Sequence, residues 1–216
     1  MGQYYRIVNV DKKEFLAPWT YKCGAKLMEW SYIVRENGEG NDFSGALTNL
    51  MQTDWNGDRV YVVGDYADLD DTRDTEKPWW DTLSGLYKEI SWLGKKNKDG
   101  YKNTLYHCGK HRGWRERTVT SACAERYLCN SETEEYIDLR SDDLPEAWSY
   151  DDNGSKHVVI YPLPLLLAIG NGKGGGDYHG TNREYVGYWV PYSKGIFFSD
   201  KIPEGYELLD PGFIET

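Results

Sequence analysis

At 216 residues, with 39% hydrophobic and 15% aromatic residues including 9 Trp and 18 Tyr, the chain can bury a core and is not disordered as a whole. Its net charge of −10 argues against general nucleic-acid binding, because phosphate contacts need an excess of cations. No apolar run nears the roughly 18 residues of a membrane helix, and the opening residues lack the charged and apolar regions of a secretory leader. A cytoplasmic protein without membrane contact, its four cysteines reduced, is expected.

In chain order, "VNVDKKEFL" (8 to 16) predicts a hairpin: an apolar strand, a polar turn, and an aromatic and leucine opening the return strand. "NGEGNDFSG" (37 to 45) is a glycine-rich turn, followed by a helix over 44 to 52 through Leu47, Leu50 and Met51. "RVYVVGD" (59 to 65) is a strand, and the acidic stretch 65 to 77 an exposed linker. "PWWDTLSGLYKEISWLG" (78 to 94) has helical spacing between a proline and a glycine.

A basic strip then runs from Lys95 to Arg117, with eight Lys or Arg against Asp99 and Glu116. Such a strip on an acidic body is either a solvated loop or a feature that steers an acidic partner. Within it, Cys108 and His111, with Cys123, have spacing that suits tetrahedral zinc; Cys129 sits where a core valine is expected, which leaves three ligands. Reduced cysteines without metal are the simpler expectation, so no cofactor is assigned.

"CNSETEEYI" (129 to 137) predicts a second hairpin, 141 to 155 an exposed loop, and 158 to 169 a buried strand broken by Pro162 and Pro164. "NGKGGGDYHG" (171 to 180) is a second glycine-rich turn and "GIFFSD" (195 to 200) a strand.

These features recur in order. Asn9, Glu14, Phe15 and Leu16 match Asn130, Glu135, Tyr136 and Ile137; Gly38, Gly40, Asp42 and Phe43 match Gly172, Gly174, Asp177 and Tyr178; Trp55 matches Trp189, and Asp65 matches Asp200. The expected fold is therefore α+β with mainly antiparallel sheet in one domain. Repeat one spans 1–68 and repeat two 124–204, related by an approximate two-fold axis, with a helical and basic insertion at 69–123 and a tail at 205–216.

Glycines shared by both copies serve the common backbone. The second loop differs by its cationic character and added glycines, so Lys173, Gly174, Gly175, Gly176, Asp177, Tyr178 and His179 are the candidate ligand-binding residues, forming a nest for a small anionic ligand or nucleotide. His179 beside Asp177 would be the base and its orienting carboxylate if that ligand were turned over. The loop lacks the Gly-Lys-Ser/Thr of a P-loop, and the chain has no G-x-S-x-G elbow. No catalytic residue is assigned.

"MGQYY" at the start, "GAKLMEW" (24 to 30), "GDYAD" (64 to 68) and "GNGKGGGDY" (170 to 178) together resemble a family of hypothetical proteins encoded in bacterial genomes and their phages. That resemblance implies an accessory or host-interaction role and transfers no catalytic residues. The function expected is a non-catalytic binding protein that blocks or sequesters a host component, with a host protein as partner. The alternatives are the anion binder at 171–180, or an enzyme acting on its ligand.

Overall fold

A computed structural model describes residues 2–21, 24–27, 42–67, 126–139, 161–171, 178 and 183–209, together with the backbone pairing of strands outside those ranges. The strands are β1 (Tyr5–Asn9), β2 (Glu14–Leu16), β3 (Tyr32–Val34), β4 (Glu39–Gly40), β5 (Val60–Gly64), β6 (Lys88–Glu89), β7 (Lys96–Asn97) and β8 (Gly100–Tyr101). They continue as β9 (Tyr127–Asn130), β10 (Glu135–Asp138), β11 (Glu146–Asp151), β12 (Gly154–Ile160), β13 (Ala168–Ile169), β14 (Ile196–Ser199) and β15 (Glu207–Leu208). Among the described residues, the α-helices α1 (Asp42–Gln52) and α2 (Pro162–Leu166) accompany them. Sheet I has the order β13-β5-β1-β2-β6, sheet II β14-β9-β10-β15 and sheet III β11-β12-β3-β4, with β7 and β8 forming a separate pair. The architecture is α+β.

Sheets I and II share a four-strand pattern. Asn9 faces Glu14 and Ile7 faces Leu16 in the first hairpin; Asn130 faces Glu135 and Leu128 faces Ile137 in the second. Each turn places a non-glycine residue in the left-handed region, Lys13 at φ 55° and Glu134 at φ 56°. An asparagine braces both turns: Asn9 Oδ1 accepts the Lys12 N–H and Asn130 Oδ1 the Glu132 N–H, each at 2.9 Å. Antiparallel strands β5 and β14 flank β1 and β9, with Asn9 facing Val60 and Asn130 facing Ile196. On the other side, parallel strands β6 and β15 pair with β2 and β10 at Glu14–Lys88 and Glu135–Glu207.

This register corrects several expectations. Counting from Val60 and Ile196, Gly64 and not Asp65 stands at the position of Asp200. Residues 205–209 are not a tail, because β15 completes sheet II and Leu209 is buried. Lys88–Glu89, inside the expected helix 78 to 94, is strand: pairing with the edge of β2 overrides its helical spacing. The insertion also carries β7 and β8, and the rest of 69–123 lies outside the described residues. The expected loop 141 to 155 contains β11 and the start of β12, whose cross-strand bonds hold a polar sequence in a hairpin.

Pro162 and Pro164 open a helix where a broken strand was expected. Tyr161, extended at φ −72° and ψ 118°, precedes the first turn. The first four N–H groups of a helix have no acceptor within it, so proline forfeits no hydrogen bond there.

The main core runs between sheets I and II. Ile7, Leu16, Val60 and Val62 from sheet I meet Leu128, Ile137 and Ile196 from sheet II, with Phe43, Leu47, Leu50 and Met51 of α1 and Leu163, Leu165 and Leu166 of α2. A buried bond of 2.8 Å between Thr48 Oγ1 and the Tyr161 hydroxyl ties α1 to the start of α2. The opposite face of sheet I buries Val8, Phe15, Tyr61 and Val63, covered in part by Ile169 and Val190. Both cores thus combine residues from distant parts of the chain.

At the first hairpin turn, Asp11 Oδ1 accepts from Arg59 Nε at 2.9 Å and Nη2 at 2.6 Å, and its Oδ2 accepts the Arg59 backbone N–H at 2.7 Å. Burial works to raise the Asp11 carboxyl, but the hydrogen bonds and charge of Arg59, with Lys194 nearby, outweigh it and hold the group below 3.8. A depressed acid contributes stability above its unfolded value and loses it as pH falls through the folded value. Asp11→Asn is therefore expected to destabilise at pH 7, by under about 1 kcal/mol because the pair is partly exposed. The difference from the parent should shrink in urea melts as pH falls below 3.8 and vanish only below the lowered folded value; an equal difference at pH 7 and at acid pH would contradict this role.

Candidate functional site

In sheet I, β5 and β13 are parallel neighbours, with Val62 facing Ala168 and Val63 facing Ile169. Strand β5 ends on Gly64 and runs into Asp65, and β13 ends on Ile169 and runs into Gly170–Asn171. The antiparallel β1 enters at this same end, after Gln3 and Tyr4. The Tyr4 N–H donates to Asp65 Oδ1 at 3.0 Å and the Asp65 N–H to the Tyr4 carbonyl at 2.9 Å, which extends the β1–β5 ladder by one pair. Three segments distant in sequence thus converge on one sheet edge.

Alternation along the extended chain sends Gln3, Tyr5 and Ile7 to the core face and Tyr4 and Arg6 to the other. Gln3 is fully buried. Its Oε1 accepts the Asn171 N–H at 3.3 Å, while its Nε2 has no hydrogen-bond partner among the described residues. The amide lies flat on Gly64: a Cβ there would stand 2.8 Å from Gln3 Cδ and closer still to Nε2. Gly64 is a glycine for close approach, not for backbone conformation.

The outer face at this end is aromatic. Tyr4, Trp19 and Tyr66 are each 46–47% exposed. The Arg6 guanidinium lies 4.6 Å from the Trp19 ring centroid and 5.4 Å from that of Phe15, a cation–π arrangement that stiffens the cluster.

Of the loop residues singled out in the sequence, Lys173, Gly174, Gly175, Gly176, Asp177 and His179 lie outside the described residues. Tyr178 is buried in the main core, where its ring packs rather than faces solvent. Cys108, His111 and Cys123 also lie outside the described residues. Cys129 is buried on β9 and forms no disulfide among the described residues, and in the shared register it takes the place of Val8. No group of three or more His, Cys, Asp or Glu among the described residues is placed to hold a metal.

Two half-buried carboxylates resemble acid–base candidates but serve another purpose. Trp55 Nε1–H donates to Glu14 Oε2 at 2.9 Å, and Trp189 Nε1–H donates to Glu135 Oε2 at 3.0 Å. The Tyr188 hydroxyl donates to Glu135 Oε1 at 3.0 Å; that bond, with burial and the carboxylate charge behind it, pushes the phenol above its ordinary value. Each glutamate fixes a fully buried tryptophan.

Sequence reasoning missed Gln3 as a site residue, because one glutamine carries no pattern. The available signal was that "MGQYY", "GDYAD" and "GNGKGGGDY" each contribute to this end. No helix among the described residues is long and apolar enough to cross a membrane. Comparison with protein-family models, curated proteins and solved structures finds no match.

Proposed function

We propose that this chain is a non-catalytic binding protein that docks a partner protein on the aromatic end of sheet I. The observation that carries this reading is the exposure of three aromatic side chains, Tyr4, Trp19 and Tyr66, at this end of sheet I, with the Arg6 guanidinium over the Trp19 ring. Aromatic and arginine side chains dominate the energetics of protein interfaces. The net charge of −10 over the whole chain favours a basic partner and speeds its approach.

The reading includes a cytoplasmic setting, in keeping with a buried Cys129 that forms no disulfide among the described residues. It also includes an accessory role for a phage or mobile element, in which binding sequesters a host component. An origin by internal duplication, with approximate two-fold pseudo-symmetry, belongs to it as well. That origin is supported by the shared strand order, the shared register, the paired left-handed turns and the repeated tryptophan–glutamate bond.

The test is capture from host lysate by the immobilised protein, compared with a Tyr4→Ala, Trp19→Ala, Tyr66→Ala triple variant. Interface aromatics that act as hot spots cost about 2 kcal/mol each on truncation, roughly thirtyfold in affinity. A retained polypeptide should be lost from the triple variant and kept by an Ile202→Ala, Leu208→Ala control, whose side chains are exposed elsewhere. Equal retention by both variants would remove this surface from consideration.

A further inference from the structure

We infer that the carboxyl ends of β5 and β13 form a binding site for the oxyanion of a small phosphorylated or carboxylated molecule, with Gln3 Nε2 as its buried donor. This goes beyond the docking surface, which lies on the other face of the same strand end.

The first argument is the orphaned donor. A buried amide N–H left without an acceptor costs about 1–3 kcal/mol. Gln3 is fully buried, and its Nε2 has no partner among the described residues. Its orientation is fixed chemically: Oε1 accepts the Asn171 N–H, so the NH2 group must face the other way. A fully buried side chain that presents only donors calls for a ligand that presents acceptors.

The second argument is topological. In open α/β sheets, ligands sit outside the carboxyl ends of parallel strands, and the β5–β13 pair repeats that arrangement locally. In sheet I, β5 and β13 are a parallel pair that end side by side, β5 on Gly64 and β13 on Ile169, which Gly170 follows. Gly64 makes room for the Gln3 amide at this strand end, since any side chain there would collide with it.

The third argument concerns charge. Asp65, the residue after Gly64, has its Oδ1 engaged by the Tyr4 N–H at 3.0 Å. The Gln3 amide is a neutral donor, and neutral donors held in a desolvated position are suited to an oxyanion.

The experiment follows thermal unfolding while inorganic phosphate, or separately acetate, is titrated against chloride at matched ionic strength. For the parent protein, ligand at ten times Kd should raise Tm by about 3–5 °C. Gln3→Met keeps the length of the side chain and removes its amide, so it should show no ligand-dependent rise. The aromatic triple variant should keep the full response. A response to phosphate or to acetate identifies which oxyanion the site takes.

No rise with either ion, as expected if the donor merely holds a buried water, would overturn the inference. So would an equal rise in Gln3→Met. Should that variant fail to fold, the side-chain NH2 resonances of 15N-glutamine-labelled parent protein give the same decision. The Gln3 pair should shift on titration, and unchanged resonances would overturn the site.

Discussion

A chain ending at residue 123 is expected to show no cooperative unfolding transition, although it contains all of repeat one. The fragment keeps β1, β2, β5 and α1 but lacks β13, which pairs with β5 through Val62 and Val63. It also lacks Leu163, Leu165, Leu166, Trp189 and Ile196, which fill the core against which α1 packs. On the other face of sheet I it loses Ile169 and Val190. Burying large aliphatic and aromatic side chains contributes about 1.5–3 kcal/mol each. A domain of this size has only about 5–15 kcal/mol of net stability, so losing several at once leaves no folded state. Near-UV circular dichroism and urea titration of the fragment measure this. Adding residues 124–216 in trans should restore the tertiary signal, whereas a cooperative transition in the fragment alone would show that repeat one folds independently.

Trp55→Ala and Trp189→Ala should each destabilise the protein by about 3–5 kcal/mol, as for other fully buried large side chains. The phenylalanine variants separate packing from hydrogen bonding. Trp55→Phe leaves the Glu14 carboxylate without its only donor among the described residues, and should cost about 1–3 kcal/mol. Trp189→Phe should cost less, because Glu135 still receives the Tyr188 hydroxyl. Urea midpoints at constant m-value report the order. If Trp189→Phe proved the more damaging, the tryptophans would be acting through packing alone.

The parts of this fold legible in the sequence are those that short-range chemistry specifies. Both hairpins follow from an asparagine that braces a four-residue turn and from apolar residues alternating on either side. Helix α1 follows from the spacing of Leu47, Leu50 and Met51, which all enter the core. The matching of Trp55 with Trp189 was legible because each is fixed by the glutamate at the same place in its hairpin. Strands β6 and β15 were not: two residues long, they are held by backbone bonds to a distant edge that their own side chains do not encode. The helix at Pro162–Leu166 was misread because proline marks both a strand break and a first helical turn.

The sequence alone determined that the chain folds around an aromatic core, carries two similar hairpins and offers no recognised catalytic motif. Only the tertiary structure decided that β13 completes the sheet of the other half, and that Gln3, Gly64 and Asn171 meet at one strand end. Hydrophobic alternation and turn chemistry act over a few residues and are written locally. The pairing of strand edges and the fate of one buried amide depend on which distant segment arrives beside them, and the whole core decides that.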